Sequence, residues 1–355
     1  MFDIILHAYG LDPGSSVESI STGLINKTWK IISGKETFIV QRINTHVFND
    51  PSRLSENTDL IAAHVSANCP GYLLVTPYMN RDQKSLTVLN GKYFRLTPYV
   101  HNSVTIDRVT HAEQAYEAAL QFGTFTTMLA GFDSRKLYHV IPNFHNLTLR
   151  YRQFEQAILH GDPERVQQSK EIIEQLKSFS ELVIEYERIN TSNNFFKRVT
   201  HHDTKISNVL FNQQAKGICV IDLDTVMPGY YISDVGDMLR TYLSPTTEEE
   251  KDFSRIGIRE DVFEGIVAGY LSAMGNQLST EEKEHFTYSG LFLTYMQALR
   301  FITDFMQLDV YYGADYEHHN LDRAANQLTL LQCIEEQKQK LQNIVRRDSK
   351  NNYAL

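Results

Sequence analysis

Over its first hundred residues the chain alternates short β-patterned runs with turn chemistry, and from Asp107 onward it changes to helical periodicity. Val17 to Ile20 reads as a strand, Thr28 to Ile32 as a second, and Thr37 to Ile43 as a third, with a turn at Ser33-Gly34-Lys35-Glu36 between the last two. Asp50-Pro51 has the chemistry of a helix start, an oxygen-bearing N-cap followed by proline in the first turn. Leu54, Ile61 and Val65 then fall near one face of that helix. Two further strands are expected, around Leu73 to Pro77 and from Tyr93 to Tyr99, the latter entered through an Asn90-Gly91 hairpin turn.

The remainder is patterned for helices. Ala112 to Leu129 spaces Ala115, Ala119, Phe122 and Phe125 for one buried face, and Pro163 to Ile189 is charged and amphipathic with no internal proline or glycine. Leu291 to Phe305 and Ala324 to Val345 complete the helical set, while Val209 to Val226 is the strand-like part of this half. The pattern predicts an α+β chain with a small β-rich N-terminal lobe over 1–96, a hinge at 97–101 and a larger, mainly helical C-terminal lobe over 102–355. No internal repeat or low-complexity segment interrupts it.

Composition narrows the function classes. The 355 residues are 42% hydrophobic and 22% charged, without a run suited to a membrane span. Lys and Arg number 34 against 43 Asp and Glu, a net charge of −9, which argues against a generic nucleic-acid surface. Three widely spaced cysteines, Cys69, Cys219 and Cys333, suggest neither a disulfide framework nor a zinc site and fit a reducing compartment. Met1 to Leu6 carries an early acid and no basic region, so it does not read as a signal peptide, and the expected location is cytoplasmic. The oligomeric state is left open.

Two segments carry the chemistry. The first is His201-His202-Asp203-Thr204-Lys205-Ile206-Ser207-Asn208, running into Val209-Leu210-Phe211; the second is Cys219-Val220-Ile221-Asp222-Leu223-Asp224. Phosphoryl transfer from ATP needs a carboxylate to orient or deprotonate a hydroxyl, an amide oxygen close by in sequence for a cation, and a further carboxylate holding Mg²⁺ on the triphosphate. Asp203 is the candidate base, Lys205 the candidate cation beside the transferred group, and Asn208 and Asp222 the candidate Mg²⁺ ligands. Asp224 reads either as an outer or second metal carboxylate or as a solvated acid at a strand end. Singly each residue is unremarkable, since Asn208 also suits a turn; their joint spacing points to a small-molecule kinase using ATP and Mg²⁺.

The nucleotide-facing candidates are less sharply defined. Ser21 to Asn26 is a turn with one glycine, Gly23, whose backbone amides would meet phosphate. The third strand has no lysine and reads Val40-Gln41-Arg42, so Arg42 with Glu56 on the next helix is a candidate phosphate-contacting pair, or else two surface charges. In the hinge, Pro98, Tyr99 and Val100 would offer backbone groups to the adenine edge of ATP lying between the lobes; the alternative is an ordinary strand-to-helix loop.

These residues resemble the aminoglycoside phosphotransferase superfamily, which shares the protein-kinase-like two-lobed fold, and are most similar to the N-acetylhexosamine 1-kinases. The resemblance rests on the two chemical segments, the second extended through Thr225-Val226-Met227-Pro228-Gly229, and on Gln41-Arg42-Ile43-Asn44 and Pro142-Asn143-Phe144-His145. Ala298-Leu299-Arg300-Phe301 and His319-Asn320-Leu321-Asp322-Arg323 extend it across most of the chain. It implies ATP-dependent phosphorylation of the anomeric hydroxyl of N-acetylglucosamine or N-acetylgalactosamine. It also implies that Asp234, with His201, braces the catalytic loop, and that Arg300 reads acceptor hydroxyls. Tyr312, in the tyrosine-rich segment from Val310 to Tyr316, is a candidate for the acetamide pocket, and Arg300 alternatively pairs with Asp304 one helical turn away. Rival acceptors are an aminoglycoside, choline, homoserine or another sugar, and the rival class is a nucleotide-binding pseudokinase.

Overall fold

The computed structural model describes residues 1–20 and 25–351, with side chains through Ser349. They form two compact units, the first comprising Met1–Thr105, Met128–Pro142 and Val209–Pro228, the second Ile106–Thr127, Asn143–Asn208 and Gly229–Leu355. Among the described residues no helix is long and apolar enough to cross a membrane.

The first unit is built on a five-stranded antiparallel sheet of β1 (Ser16–Ile20), β2 (Lys27–Ser33), β3 (Glu36–Arg42), β4 (Thr87–Leu89) and β5 (Lys92–Pro98), in the order β1-β2-β3-β5-β4. Strand alternation sends Phe38 and Val40 of β3, Phe94 and Leu96 of β5 and Ile31 of β2 to one face, where Ile5 and Leu6 of the Phe2–Tyr9 helix close a core. The same alternation turns Gln41 and Arg95, directly opposite one another across β3 and β5, to the other face. Asn90 and Gly91 both have positive φ, 51° and 71°, the conformation a two-residue hairpin requires between β4 and β5.

The Pro51–Asn68 helix starts where its sequence dictates: the Asp50 carboxylate accepts from the backbone N–H groups of Ser52 and Arg53 at 3.2 and 3.3 Å. Leu54, Ile61 and Val65 are buried as their spacing predicts. Asn57 shares that face, donating to the carbonyls of Tyr138 and Val226 and accepting from the Tyr138 N–H, so one helix side chain ties in two distant segments of the unit. A hairpin of Val209–Phe211 and Gly217–Val220 completes the unit and carries Asp222 just beyond its second strand. The strand expected around Leu73 to Pro77 is absent: these residues run irregularly, and only the neighbouring Tyr78 N–H reaches the Leu96 carbonyl, at 2.7 Å.

The second unit is helical, centred on Phe286–Met306, nearly every residue of which is buried. Around it lie Leu147–His160, Tyr231–Tyr242 and His319–Asn351. Phe292, Leu299 and Phe301 are fully buried, each contributing about 1.5–3 kcal/mol of transfer free energy. Gly236 lets Tyr231–Tyr242 approach closely, because a Cβ there would lie 2.5 Å from the Ser289 carbonyl oxygen. The segment expected as one helix from Pro163 to Ile189 is three: Pro163–Gln168, Lys170–Ser178 and Glu181–Thr191. Ser169 stands at the first break, its hydroxyl donating to the Arg165 carbonyl, and Phe179 and Ser180 form the second.

Candidate active site

In the second unit a short strand, Arg198–Thr200, leads into His201 to Lys205, and a single 3₁₀ turn, Ile206–Asn208, closes the loop. Two carboxylates of Tyr231–Tyr242 hold it. Asp234 accepts from the backbone N–H groups of His201 and His202 at 3.0 and 2.7 Å, and Asp237 accepts from the Thr204 N–H at 2.8 Å. The Thr204 hydroxyl donates to the Asp234 carbonyl at 2.7 Å, and Tyr242 donates to the Thr204 carbonyl. Between these anchors His202 has φ +66°, a conformation seldom adopted by non-glycine residues and concentrated at functional sites. His201 is fully buried, its ring edge-on to Phe122 and Phe125.

Asp203 projects from this frame. Asn208 Nδ2 donates to its carbonyl at 2.9 Å and to its Oδ2 at 3.1 Å, while Lys205 Nζ lies 3.3 Å from Oδ1. Burial opposes ionisation of Asp203. The Lys205 ammonium, His201 and the hydrogen bonds from Lys205 and Asn208 outweigh it and hold the carboxyl below its ordinary range. Lys205 is raised in turn, chiefly by Asp203. Asp237 continues the charge network to Arg240 at 3.0 Å, Arg240 pairs with Glu248 at 2.8 Å, and Arg323 closes on Glu248. Burial pushes the Asp234 carboxyl up to about 7, against the two backbone donors that favour its charged form.

Asp222 and Asp224 belong to the first unit. Asp222 has φ +60° at the turn after the hairpin, and Leu223–Thr225 forms one 3₁₀ turn. Asp224 is buried, not a solvated strand-end acid: its Oδ2 accepts from Asn26 Nδ2 at 2.7 Å and its Oδ1 is ion-paired to Arg95. Arg95 is oriented by Gln41, whose Oε1 accepts from Nε and Nη2 at 2.9 and 2.7 Å. Among the described residues a buried cation of this sheet therefore comes from β5, opposite Gln41, and not from Arg42, the β3 candidate. Arg42 and Glu56 make no ion pair among the described residues; Glu56 is exposed because Asn57 takes the inward position beside it. Gly23 lies outside the described residues. Pro98 ends β5, the Tyr99 N–H donates to the Thr37 carbonyl at 3.2 Å, and Val100 accepts from the Ser103 hydroxyl at 2.7 Å.

Arg300 and Tyr312 do come together. The Arg300 guanidinium lies 5.2 Å from the Tyr312 ring centre, and Gln297 bridges them, accepting from Arg300 Nη1 at 3.2 Å and donating to the Tyr312 hydroxyl at 3.0 Å. Asp304 does not pair with Arg300; it accepts from the Tyr311 and Tyr312 N–H groups at 2.7 and 2.9 Å. His145, given no role from sequence, is half-buried with its ring 5.3 Å from that of His202. Burial, with the charges of His202, Arg300, Arg240 and Arg150, depresses its pKa well below the ordinary histidine value. The neighbouring Phe144-His145 stack is the structural content of the Pro142 to His145 segment.

Magnesium is the metal these donors suit. Asn208 uses its amide nitrogen on Asp203 and keeps its Oδ1 free of that contact, and in the first unit Asp222 supplies a carboxylate; each taken by itself is a hard oxygen donor. Among the described residues no three His, Cys, Asp or Glu side chains gather into a metal cage.

Three solved structures share this fold across almost the whole chain. A microcompartment-associated aminopropanol kinase is 14% identical with a TM-score of 0.62, covering 96% of this chain and 97% of that one. A spectinomycin phosphotransferase solved with ADP and spectinomycin is 12% identical with a TM-score of 0.59, covering 94% and 97%. A choline kinase from Cryptosporidium parvum is 15% identical with a TM-score of 0.57, covering 98% and 99%. The sequence profile of the phosphotransferase enzyme family, APH, matches residues 16–271, a span holding the sheet, the braced Asp203 loop and Asp222; the chain belongs to that family.

Proposed function

We propose that the chain transfers the γ-phosphoryl group of ATP to the anomeric hydroxyl of an N-acetylhexosamine. The observation that carries the phosphotransferase part is the Asp203 carboxylate, kept ionised by Lys205 and oriented by Asn208 on a loop anchored through Asp234 and Asp237. Asp203 accepts the acceptor's hydroxyl proton, the sugar oxygen forms the new bond to the γ-phosphorus, and the bond from that phosphorus to the β-bridging oxygen breaks, releasing ADP. Because proton removal is late in a loose transition state, the main work of Asp203 is to aim the hydroxyl. Lys205 offsets charge on the transferred group. Asn208 offers an amide oxygen and Asp222 a carboxylate, each suited to Mg²⁺, which would supply charge neutralisation on the phosphates. Arg95, clamped between Gln41 and Asp224, fixes the Asp222 turn from behind and is a positioning residue.

The sugar part is supported by the Arg300, Gln297 and Tyr312 group, which offers hydrogen-bonding groups beside aromatic rings as carbohydrate recognition requires. Similarity to kinases named for aminopropanol and choline raises a second reading, an amine-bearing acceptor. The guanidinium groups at this site disfavour a cationic guest. The test is ADP release with Mg-ATP over N-acetylglucosamine, N-acetylgalactosamine, glucose, galactose, kanamycin, choline and homoserine, with the phosphorylated position read by phosphorus NMR. Turnover on an N-acetylhexosamine at the anomeric oxygen supports the proposal. Turnover confined to another acceptor removes the sugar assignment and leaves the phosphotransferase chemistry.

A further inference from the structure

A cavity of about 380 Å³ in the second unit is lined by side chains of the Leu147–His160 and Phe286–Met306 helices and of the tyrosine-rich turn after the latter. Three arginines, Arg150, Arg152 and Arg300, contribute to its wall, against a single carboxylate, Asp304. That carboxylate is spent on the protein: its two oxygens accept from the Tyr311 and Tyr312 N–H groups, and Asn320 Nδ2 adds a third donor. Among the described residues none of the three arginines is ion-paired to a carboxylate. Arg300 donates to Gln297 and to the Tyr311 hydroxyl, and Arg150 donates to Gln153 and to the Asn143 carbonyl. The Arg150 Nε atom is buried with no acceptor among the described residues.

Two guanidinium groups within electrostatic range of each other in a partly desolvated pocket repel, and burial together with Arg300 lowers the Arg150 pKa. Among the described residues the hydrogen-bond partners of the pair are neutral. An ammonium group entering the pocket would add a third like charge and find no uncommitted carboxylate to neutralise it, whereas a carboxylate or phosphate would offset the guanidinium charges and relieve the repulsion. The arginines also stand within electrostatic range of His145, whose ring lies 5.3 Å from that of His202, the residue preceding Asp203.

The geometry points to an oxyanion subsite, formed by Arg150 and Arg300, that selects an acceptor sugar bearing a carboxylate or phosphate and rejects amines. This inference rests on the phosphotransferase reading only in treating the cavity as the acceptor pocket, so its test reads binding apart from turnover. Calorimetry on the full chain without nucleotide compares two pairs differing in charge at the sixth carbon, N-acetylglucosamine with its 6-phosphate and glucose with glucuronate. Glucosamine supplies the cationic arm. The expected result is about tenfold or tighter binding of at least one acidic sugar over its neutral partner, the phosphate and carboxylate pairs separating the two anion sources, with glucosamine weakest. Arg150→Gln should abolish the charge preference while neutral-sugar binding persists, Arg150→Lys should restore part of it, and Arg300→Gln should abolish the preference and weaken neutral-sugar binding as well. Equal binding within both pairs, tighter binding of glucosamine, no binding of either acidic sugar, or a preference that survives both substitutions overturns the inference. Turnover of N-acetylglucosamine without any charge preference would sink this inference alone; acidic-sugar binding without phosphoryl transfer would sink the phosphotransferase reading alone.

Discussion

Arg95 and Asp224, 129 residues apart in sequence, form an ion pair almost wholly withdrawn from solvent, with side-chain exposures of 6% and 3%. The pair fastens the turn carrying Asp222 to the polar face of the sheet, with Gln41 orienting the arginine and Asn26 the carboxylate. Desolvating two charges is expensive, and the hydrogen bonds from Asn26 and to Gln41 are what make the arrangement tolerable.

Removing one partner strands the other. Asp224→Ala is expected to lower unfolding free energy by about 3–5 kcal/mol, and Arg95→Met to do the same, while the Arg95→Met/Asp224→Leu double variant recovers most of the loss. Urea unfolding of the four proteins measures this cycle. Single variants within about 1 kcal/mol of the parent would mean that the pair does not hold the turn.

Lys205 is the principal attraction keeping Asp203 ionised against burial. With Lys205→Met that attraction is gone, so the Asp203 pKa rises and the acidic limb of kcat/KM moves to higher pH. The parent should be insensitive to pH through the range where an ordinary carboxylate is already ionised. A pH-rate profile of the variant with an unmoved acidic limb would contradict this account of Asp203.

Asp234 has the opposite sense. Its folded-state pKa of about 7 lies above that of an unfolded aspartate, so the folded protein holds the extra proton between the two values. The stability it contributes is full below about pH 4 and is lost as pH rises through about 7. Asp234→Asn removes this titration. The stability difference between parent and variant should therefore shrink from pH 4 to pH 7 and level off above, as read by denaturant unfolding at each pH. A difference independent of pH would show that the two backbone donors of His201 and His202 hold the carboxylate charged throughout.

Local chemistry in the sequence foretold local structure well. Asp50-Pro51 starts its helix, Asn90-Gly91 makes its hairpin, and Asp203 and Asn208 meet within one short loop because five residues and a 3₁₀ turn bring them together. What depends on tertiary partners was hidden. Arg95 stands in an apolar strand, Tyr93-Phe94-Arg95-Leu96, and a lone arginine among buried residues was the available sign of a buried ion pair, but its partner lies in a remote segment. Arg42 and Glu56 looked like a pair by analogy of position; one step along the helix, Asn57 faces inward instead. The breaks at Ser169 and at Phe179-Ser180 carry no proline or glycine and come from local hydroxyl and backbone bonding that periodicity does not register. Leu73 to Pro77 had apolar β-formers but no strand partner to pair with.

The central claim is that Asp203 receives the acceptor proton in a phosphoryl transfer. It is tested most directly by ADP release from Mg-ATP with N-acetylglucosamine as acceptor, comparing the parent with Asp203→Asn. A carboxamide keeps the shape and a hydrogen-bond acceptor but not the charge or the basicity. The account predicts robust turnover by the parent and a loss of about 10²–10⁴-fold in kcat for the variant, with ATP binding unchanged. Turnover by the variant within a few-fold of the parent would contradict it.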